Sequence, residues 1–239
     1  MSVTQALLAP MLATGSPRPL ITHYDDATGA RVELSRATVA NWAAKTANWL
    51  VDELDLEPGT PVSVALPAHW QTLGVLLGSW WCGAHVVDDP AGAEVAFVPA
   101  AAPESGAGAH VTAVVGLDAL GGPVRELPQG AVDYVSDIRV HGDEFSPRQQ
   151  VPGSAPALVG STVDEVLGVA AERAEALGIG PDSRVLSTLE WTLPGGVYDG
   201  LLAVLSARSS LVQVSNPDPD KLAQRRTTEK TTVDLGAVL

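Results

Sequence analysis

The 239-residue sequence predicts an α/β fold of two similar, doubly wound lobes, each with a mainly parallel sheet in a three-layer arrangement. Short apolar runs alternate with helical patterns along the chain, which is typical of βαβ units. The order of Pro/Gly turn, strand, helix and strand over residues 57–87 occurs again over residues 180–214, which indicates two related units. A hydrophobic share of 46% is sufficient to bury a large core.

The elements of the first half follow from local signals. Ser35 can cap a helix in which apolar residues recur at helical spacing. Pro58-Gly59 interrupts the chain after this helix, and Pro67 opens a second one. We therefore expect helices at about residues 35–54 and 68–83 and buried strands at 62–66, 85–88, 94–98 and 111–117.

The second half begins with a capping box, Thr162-Val-Asp-Glu165, and Gly195-Gly196 precedes its next helix. We expect helices at about residues 162–177, 196–207 and 218–230 and strands at 184–189, 210–214 and 231–235. The stretch between the halves is polar and rich in proline, which is typical of a lobe boundary. The predicted division is a first α/β lobe at 1–142, a connecting segment at 143–160 and a truncated second lobe at 161–239.

Composition excludes several classes of protein. The net charge is −14 with only three lysines, which disfavours binding to nucleic acid or to an anionic membrane. The longest apolar run, Leu73–Val87, is too short to span a bilayer, and the amino-terminal residues do not resemble a signal peptide. Cys82 is the single cysteine, so no internal disulfide can form. We therefore expect a cytoplasmic protein without a membrane span.

The order and spacing of these patterns resemble the amino-terminal part of the adenylate-forming superfamily, which includes acyl-CoA synthetases, nonribosomal peptide adenylation domains and luciferases. The resemblance lies in ELSRATVANW…GAHVVDDP at residues 33–90, VDEVLGVAAE…SSLVQV at 163–214 and PDPDKLAQRRTTEKTTVDLG at 217–236. It covers roughly Leu20 to Gly236 and consists mostly of packing patterns. It implies the same fold as the amino-terminal part of acyl-CoA synthetases.

The phosphate loop of that superfamily is a Thr/Ser/Gly run ending in Pro-Lys-Gly, whose backbone N–H groups and lysine hold ATP. In its place stands EFSPRQQVPGSAPALVGST at residues 144–162. Arg148 is the only cation in this segment, and prolines remove N–H donors from it. We therefore expect that neither ATP nor AMP binds, that the protein needs no cofactor and that it has no catalytic residue.

Other motifs of the superfamily also differ or are missing. Thr192-Leu193-Pro194 stands where the superfamily has an aromatic-His pair before the Gly-Gly turn. The sequence ends at Leu239, before the adenine-binding, ribose-binding, hinge and carboxy-terminal lysine motifs. The resemblance therefore implies a truncated relative that lacks most of the catalytic residues.

A ligand cleft between the lobes would be lined by residues near strand ends. The cleft candidates are Glu190, Trp191, Gly195, Gly196, Arg148 and Ser161. For Ser161 an alternative is that it caps the following helix. Asp88-Asp89-Pro90 also follows a strand, where it can either contact a ligand or form a turn.

Trp80 and Trp81 are the candidates for an interface with a partner. Adjacent helical residues point about 100° apart, so the two rings can hardly share one packing face. We expect no metal site, because the five histidines show no ligand spacing and one cysteine cannot form a thiolate site.

The favoured hypothesis is a catalytically inactive relative, or pseudoenzyme, that acts as a binding or interaction module. One alternative is a residual acyl- or nucleotide-binding subunit that needs a second chain for acyl activation. Another is a structural remnant that dimerises. TTVDLGAVL at residues 231–239 is a β-prone tail, so we expect a homodimer or a protein partner. A small acyl or aryl ligand is expected to bind weakly.

Overall fold

The computed structural model describes residues 1–236 as an α/β protein with two sheets. The helices are α1 Val3–Ala13, α2 Arg36–Asp52, α3 Trp70–Cys82, α4 Tyr134–Ile138, α5 Val163–Ala176, α6 Gly195–Val197, α7 Ala203–Ser206 and α8 Pro219–Glu229. The strands are β1 Ile21–Asp25, β2 Ala30–Leu34, β3 Pro61–Val64, β4 His85–Val87, β5 Val95–Pro99, β6 Val111–Val115, β7 Ala131–Asp133, β8 Pro156–Leu158, β9 Ser161–Thr162, β10 Arg184–Ser187, β11 Ser210–Ser215 and β12 Val233–Leu235. A 3₁₀ turn, Pro103–Gly106, follows β5, and a π-helical turn, Tyr198–Leu202, joins α6 to α7.

The predicted fold class is confirmed, because both sheets are mainly parallel. The seven-stranded sheet has the order β7-β6-β5-β3-β4-β8-β9, and only the β8–β9 pair is antiparallel. The five-stranded sheet has the order β12-β10-β11-β1-β2, and only the β1–β2 pair is antiparallel. One large apolar core contains side chains from both sheets and from helices α1 to α5 and α7.

Each sheet contains strands from both sides of the predicted lobe boundary. The β1–β2 hairpin lies in the first half of the sequence but joins the five-stranded sheet, where Ile21 pairs in register with Leu211. The β8–β9 hairpin lies largely in the Pro-rich segment but joins the seven-stranded sheet, where Leu158 pairs with Val86. The division of the chain into lobes at residues 142 and 160 stays a prediction, but the sheets do not follow it.

Helices α2 and α3 pack closely because α3 carries glycines on the facing side. A Cβ atom added to Gly78 would lie 2.7 Å from Cγ2 of Thr46 and 2.8 Å from the carbonyl oxygen of Ala43. Both distances are shorter than van der Waals contact, so only glycine allows this approach. The hydroxyl groups of Thr46 and Tyr134 lie 2.7 Å apart and connect α2 to α4 within the core.

The predicted helix starts were close to those observed. Thr162 caps α5, and its side chain and that of Glu165 form the expected reciprocal capping box. Ser161 lies in β9, so the alternative that it caps this helix is wrong. Helix α3 starts at Trp70 with His69 as its N-cap, two residues later than the predicted start. The sequence patterns did not reveal α1, which Ser2 caps, or the β1–β2 hairpin.

Helix α8 is joined to the five-stranded sheet by a buried ionic cluster around Glu229. The hydroxyl group of Tyr24 donates a hydrogen bond to Glu229 at 2.5 Å, and the guanidinium group of Arg31 lies 3.0 Å from the same carboxylate. Arg184 pairs with its other oxygen. Burial opposes ionisation of Glu229, but the hydrogen bonds from these three residues outweigh it and lower the pKa of the carboxyl group.

None of the helices within residues 1–236 combines the length and the apolar character needed to cross a membrane.

Candidate functional site

A cavity of about 430 Å³ lies where the carboxyl ends of strands from both sheets meet. Strands β1, β3, β6, β10 and β11 end beside it, and in α/β folds ligands bind at this end of a parallel sheet. Its polar lining includes His23, His69, Asp25, Asp118, Glu190, Ser215 and Asn216. We call this space the inter-sheet cavity.

Two buried histidines form one wall of the inter-sheet cavity. His23 lies in β1 and His69 precedes α3, and the centroids of the two rings are 4.4 Å apart in an edge-to-face arrangement. The two residues are 3% and 6% exposed, respectively. The fold therefore brings together two imidazoles that are far apart in the sequence.

The hydrogen bonds of the two rings determine which nitrogen carries the proton. Oγ of Ser215 donates its proton to the carbonyl oxygen of Ala68 at 2.9 Å, so it must accept the hydrogen bond from Nε2 of His23, also at 2.9 Å. Nδ1 of His69 accepts a hydrogen bond from the backbone N–H of Gln71 at 3.1 Å. Both neutral rings therefore carry the proton on Nε2, which leaves Nδ1 of His23 as an acceptor and Nε2–H of His69 as a donor.

Both imidazoles are neutral at physiological pH. Burial lowers the pKa of His23 to about 4, against a smaller opposing effect of Asp25. Burial lowers the pKa of His69 to about 3; the neighbouring His23 contributes in the same direction, and Asp25 opposes it. A buried imidazole that donates and accepts without a carboxylate in direct contact is more stable uncharged. The pair therefore offers hydrogen bonds without offering positive charge.

The three carboxylates of the cavity differ in how far the protein satisfies them. Asp25 accepts hydrogen bonds from the backbone of Ala27 and from two side chains, those of Thr28 and Asn216. Asp118 accepts two backbone N–H groups from its own turn. Glu190 receives only a long hydrogen bond, 3.4 Å, from the backbone of Ala68. Glu190 is therefore the carboxylate with the most capacity left for a ligand.

No lysine or arginine of the described chain lines the inter-sheet cavity. The neutral histidines do not balance the three carboxylates, so the electrostatic potential in the cavity is negative. An anionic ligand would be repelled there, whereas an uncharged molecule with hydrogen-bonding groups would not.

A second cavity of about 360 Å³ lies beside the first one and shares Pro67 and Glu190 with it. Its other lining residues are mostly apolar and include Leu66, Trp191 and Leu193, with Asp88 at the end of β4. The two cavities together form a cleft between the sheets, with a polar part beside the histidines and a more apolar part beside Trp191.

Four of the predicted cleft residues lie at or next to this cleft. Glu190 lines both cavities, and Trp191 lines the second one although it is only 3% exposed. Gly195 and Gly196 begin α6, behind the turn that carries Glu190. A Cβ atom at Gly196 would collide with the carbonyl oxygen of Glu190, so this glycine allows the turn to pack against the helix.

The other two predicted cleft residues lie elsewhere. Arg148 forms an ion pair with Asp52 at 2.8 Å and lines a separate cavity of about 250 Å³ near Phe145. Ser161 pairs with Leu158 at the edge of the seven-stranded sheet and lines none of the cavities named here. The prediction that both belong to the cleft is corrected, because the Pro-rich segment packs beside α2 and β4 rather than between the sheets.

The two predicted interface residues, Trp80 and Trp81, differ in their exposure. Trp80 is 1% exposed, and its Nε1–H donates to the carbonyl oxygen of Ala157 at 2.8 Å, so its role is in the core and it cannot present an interface. Trp81 is half-buried, and its ring contacts that of Phe145 with centroids 5.9 Å apart. Part of Trp81 is accessible, so its role at an interface stays a prediction.

The sequence reasoning missed His23 and His69. His23 lies in LITHYDD and His69 in LPAHW, each next to a short apolar stretch. In this fold class ligand sites occur at strand ends. The two histidines show no ligand spacing in the sequence, because they lie far apart along the chain. Within residues 1–236 no group of three or more His, Cys, Asp or Glu side chains is arranged to hold a metal ion.

The comparisons with solved structures show the same fold in acyl-CoA ligases. An acyl-CoA synthetase from Brucella canis superposes with a TM-score of 0.80 over 98% of this chain and 47% of its own, at 16% identity. A benzoate CoA ligase from Burkholderia xenovorans superposes with a TM-score of 0.73 over 99% of this chain and 50% of its own, at 15% identity. The chain thus spans about half the length of these structures, and the predicted likeness in fold to acyl-CoA synthetases is confirmed.

No family model matches the chain. A curated protein of Mycobacterium tuberculosis (strain H37Rv), described as a TIGR03089 family protein, is 48% identical over 238 residues. The match covers 97% of this chain and 97% of that protein. Identity at this level over nearly the whole of both chains means that the chain belongs to the TIGR03089 family.

Proposed function

We propose that this protein is a binding module with an acyl-CoA-ligase fold, and that it does not adenylate carboxylic acids by itself. The observation that carries the proposal is the charge of the cleft. Its described lining has carboxylates and two neutral histidines but neither lysine nor arginine. Adenylation concentrates negative charge on phosphate oxygens in the transition state, and enzymes stabilise that charge with cations and oriented N–H groups.

The segment at residues 144–162 supports the same proposal. Arg148, its only cation, pairs with Asp52 at the carboxyl end of α2. The carbonyl oxygen of Val151 accepts a hydrogen bond from the amino terminus, and that of Ala157 accepts one from Trp80. The segment is thus packed against α1 and α3 and enters the seven-stranded sheet through β8.

The test is ATP–pyrophosphate exchange with a panel of aliphatic and aromatic carboxylic acids. We expect no exchange above that of a mock preparation taken through the same purification. Exchange activity that co-elutes with the protein in gel filtration and rises in proportion to its concentration would overturn the proposal. A shared host synthetase would instead give the same activity in the mock preparation.

A second candidate is an acyl-binding subunit that acts with another chain. It is favoured by the apolar cavity beside Trp191, since an acyl or aryl group can be buried there. Titration with fatty and aryl acids, followed by tryptophan fluorescence, tests it. We expect weak binding at most, because Asp88 and Glu190 line the same cavity and repel a free carboxylate. Micromolar affinity for a nucleotide would favour a nucleotide-binding subunit instead.

A further inference from the structure

The inter-sheet cavity contains hydrogen-bonding atoms that the protein leaves unused. Nδ1 of His23 is an acceptor and Nε2–H of His69 is a donor, and neither has a hydrogen-bond partner among residues 1–236. Both side chains are more than nine-tenths buried, and both line the cavity. The other nitrogen of each ring is held by a hydrogen bond within the protein, so these two nitrogens are free to bond a ligand or ordered water in the cavity.

The surroundings of the two rings restrict the charge of that ligand. Glu190 has one carboxylate oxygen without a hydrogen-bond partner in the described chain, and Asp25 and Asp118 add negative charge to the lining. No described cation lies in the cavity to balance a carboxylate or phosphate. A matching ligand therefore carries an acceptor for His69, donors for His23 and Glu190, and no negative charge.

We propose that the inter-sheet cavity binds the primary carboxamide group of an uncharged small molecule. The carboxamide oxygen accepts the hydrogen bond from Nε2–H of His69. The two hydrogens of the NH₂ group are donated to Nδ1 of His23 and to the carboxylate of Glu190. A volume of about 430 Å³ lies within the range of small-molecule sites, and the adjoining apolar cavity can hold the rest of the ligand.

This inference rests on the proposed binding function and identifies the ligand class. One solved structure with this fold is named a benzoate CoA ligase, and benzoate is a carboxylate. A carboxylate would bring a negative charge next to Glu190 and would offer no hydrogen to His23. The cavity of this protein thus selects the amide over the acid with the same carbon skeleton.

The test compares benzamide with benzoate, which differ in this one group, by titration calorimetry at neutral pH. We expect the dissociation constant of benzamide to be lower than that of benzoate by about tenfold or more. Benzoate would be repelled by Glu190 and would lack the hydrogen bond to His23. Ring ¹⁵N shifts of His23 and His69 should show the Nε2–H tautomer and should change on addition of benzamide.

The variant His69→Asn separates binding from structure. Asparagine is a preferred N-cap and can still accept the hydrogen bond from Gln71, but its shorter side chain no longer brings a donor to the cavity. We expect this variant to fold and to lose about tenfold in affinity for benzamide, which corresponds to one hydrogen bond. His110→Asn is the matched control, because His110 has a 70% exposed side chain outside the cavity and should bind benzamide as the unaltered protein does.

Three results would overturn the assignment: benzoate binding at least as tightly as benzamide, no benzamide binding up to about 10 mM, or unchanged affinity in His69→Asn. These results are distinguishable from failure of the proposed function. Adenylation by the chain alone would overturn the binding-module proposal, whereas a preference for benzoate without adenylation would overturn only the ligand class.

Discussion

At the scale of single residues, His69 combines two roles that depend on the same protonation state. Its Nδ1 caps α3 by accepting the N–H of Gln71, and its ring forms the wall of the inter-sheet cavity. A protonated imidazole has no lone pair and cannot accept a hydrogen bond. Protonation would therefore remove the cap and place a charge in a buried site, so the neutral ring is required by geometry as well as by burial.

This requirement makes stability depend on pH. In the unfolded chain both histidines titrate near 6.5, whereas in the folded protein the pKa is about 4 for His23 and about 3 for His69. Between these values the unfolded state binds more protons, so stability is lost as the pH falls. The slope for each imidazole is at most about 1.4 kcal/mol per pH unit. Asp25 opposes both pKa shifts and therefore makes the total loss smaller.

Urea unfolding at about pH 7 and about pH 5 measures this loss, since most carboxylates stay ionised over that interval. We expect His69→Asn to show a clearly smaller loss than the unaltered protein, because one of the two buried imidazoles is gone. The exposed His110 provides the comparison, and His110→Asn should keep the full dependence. An equal loss in both variants would contradict the assignment of this pH dependence to the cavity.

At the scale of elements, the approach of α2 to α3 depends on Gly78. We expect Gly78→Ala to destabilise the fold by about 1–3 kcal/mol, because the added methyl group would overlap Thr46 and the backbone of Ala43. Gly168 in α5 is the matched control: it is also helical, but nothing lies within 4 Å of an added Cβ. Gly168→Ala should therefore stabilise the fold by up to about 1 kcal/mol. Denaturant unfolding of both variants checks the opposite signs.

The attachment of α8 depends on Glu229. Its side chain and that of Arg184 are 6% and 10% exposed, so Glu229→Gln leaves a buried guanidinium group without its counter-ion. We expect a loss of about 3–5 kcal/mol, as for other buried pairs that lose one partner. The control is Glu33→Gln, since the Glu33–Arg31 pair is 43% and 44% exposed and should cost less than about 1 kcal/mol. Similar losses in the two variants would show that the cluster does not hold α8.

The elements that could be predicted are those whose signals are local. Thr162 and Glu165 cap α5 within one turn of backbone, and the strands at Val62 and Val95 lie in continuous apolar runs.

The cleft could be predicted only in part. Glu190 follows a strand, so it was found, whereas the contact of His23 with His69 depends on which strands of two sheets become neighbours. Arg148 was misplaced because the path of the Pro-rich segment is determined by packing on Trp80 and Asp52.

At the scale of the whole molecule, the predicted self-association concerns the β-prone tail at residues 231–239, which includes strand β12. In the described chain β12 is an edge strand that pairs with β10 on one side only, and Arg226 pairs with Asp234 at 2.6 Å beside it. The rest of the predicted tail, residues 237–239, lies outside the described residues. An edge of this kind can pair with a second copy of the chain.

Light scattering at micromolar concentration measures the oligomeric state. We expect a dimer, whose interface should bury more than about 1,000 Å² to be specific. Asp234→Pro removes a backbone donor from β12 and should shift the equilibrium towards the monomer if this edge forms the interface. The same substitution at an exposed position of another edge strand, Glu33→Pro in β2, is the control. A monomer at every concentration would contradict the prediction.

Strand β1 lies near the amino terminus but pairs with β11 near the end of the described chain, and this has a consequence for synthesis on the ribosome. His23 in β1 contacts Ser215 in β11, a residue 192 positions later, and β1 takes its place in the sheet beside β11. At a translation rate of about 5–20 residues per second, roughly 10–40 s pass between the synthesis of the β1–β2 hairpin and that of β11. During that time the apolar side of Ile21 and Leu20 is uncovered. Nascent chains of this protein are therefore expected to bind chaperones through their first strand, and stalled chains should be more prone to aggregation than full-length ones.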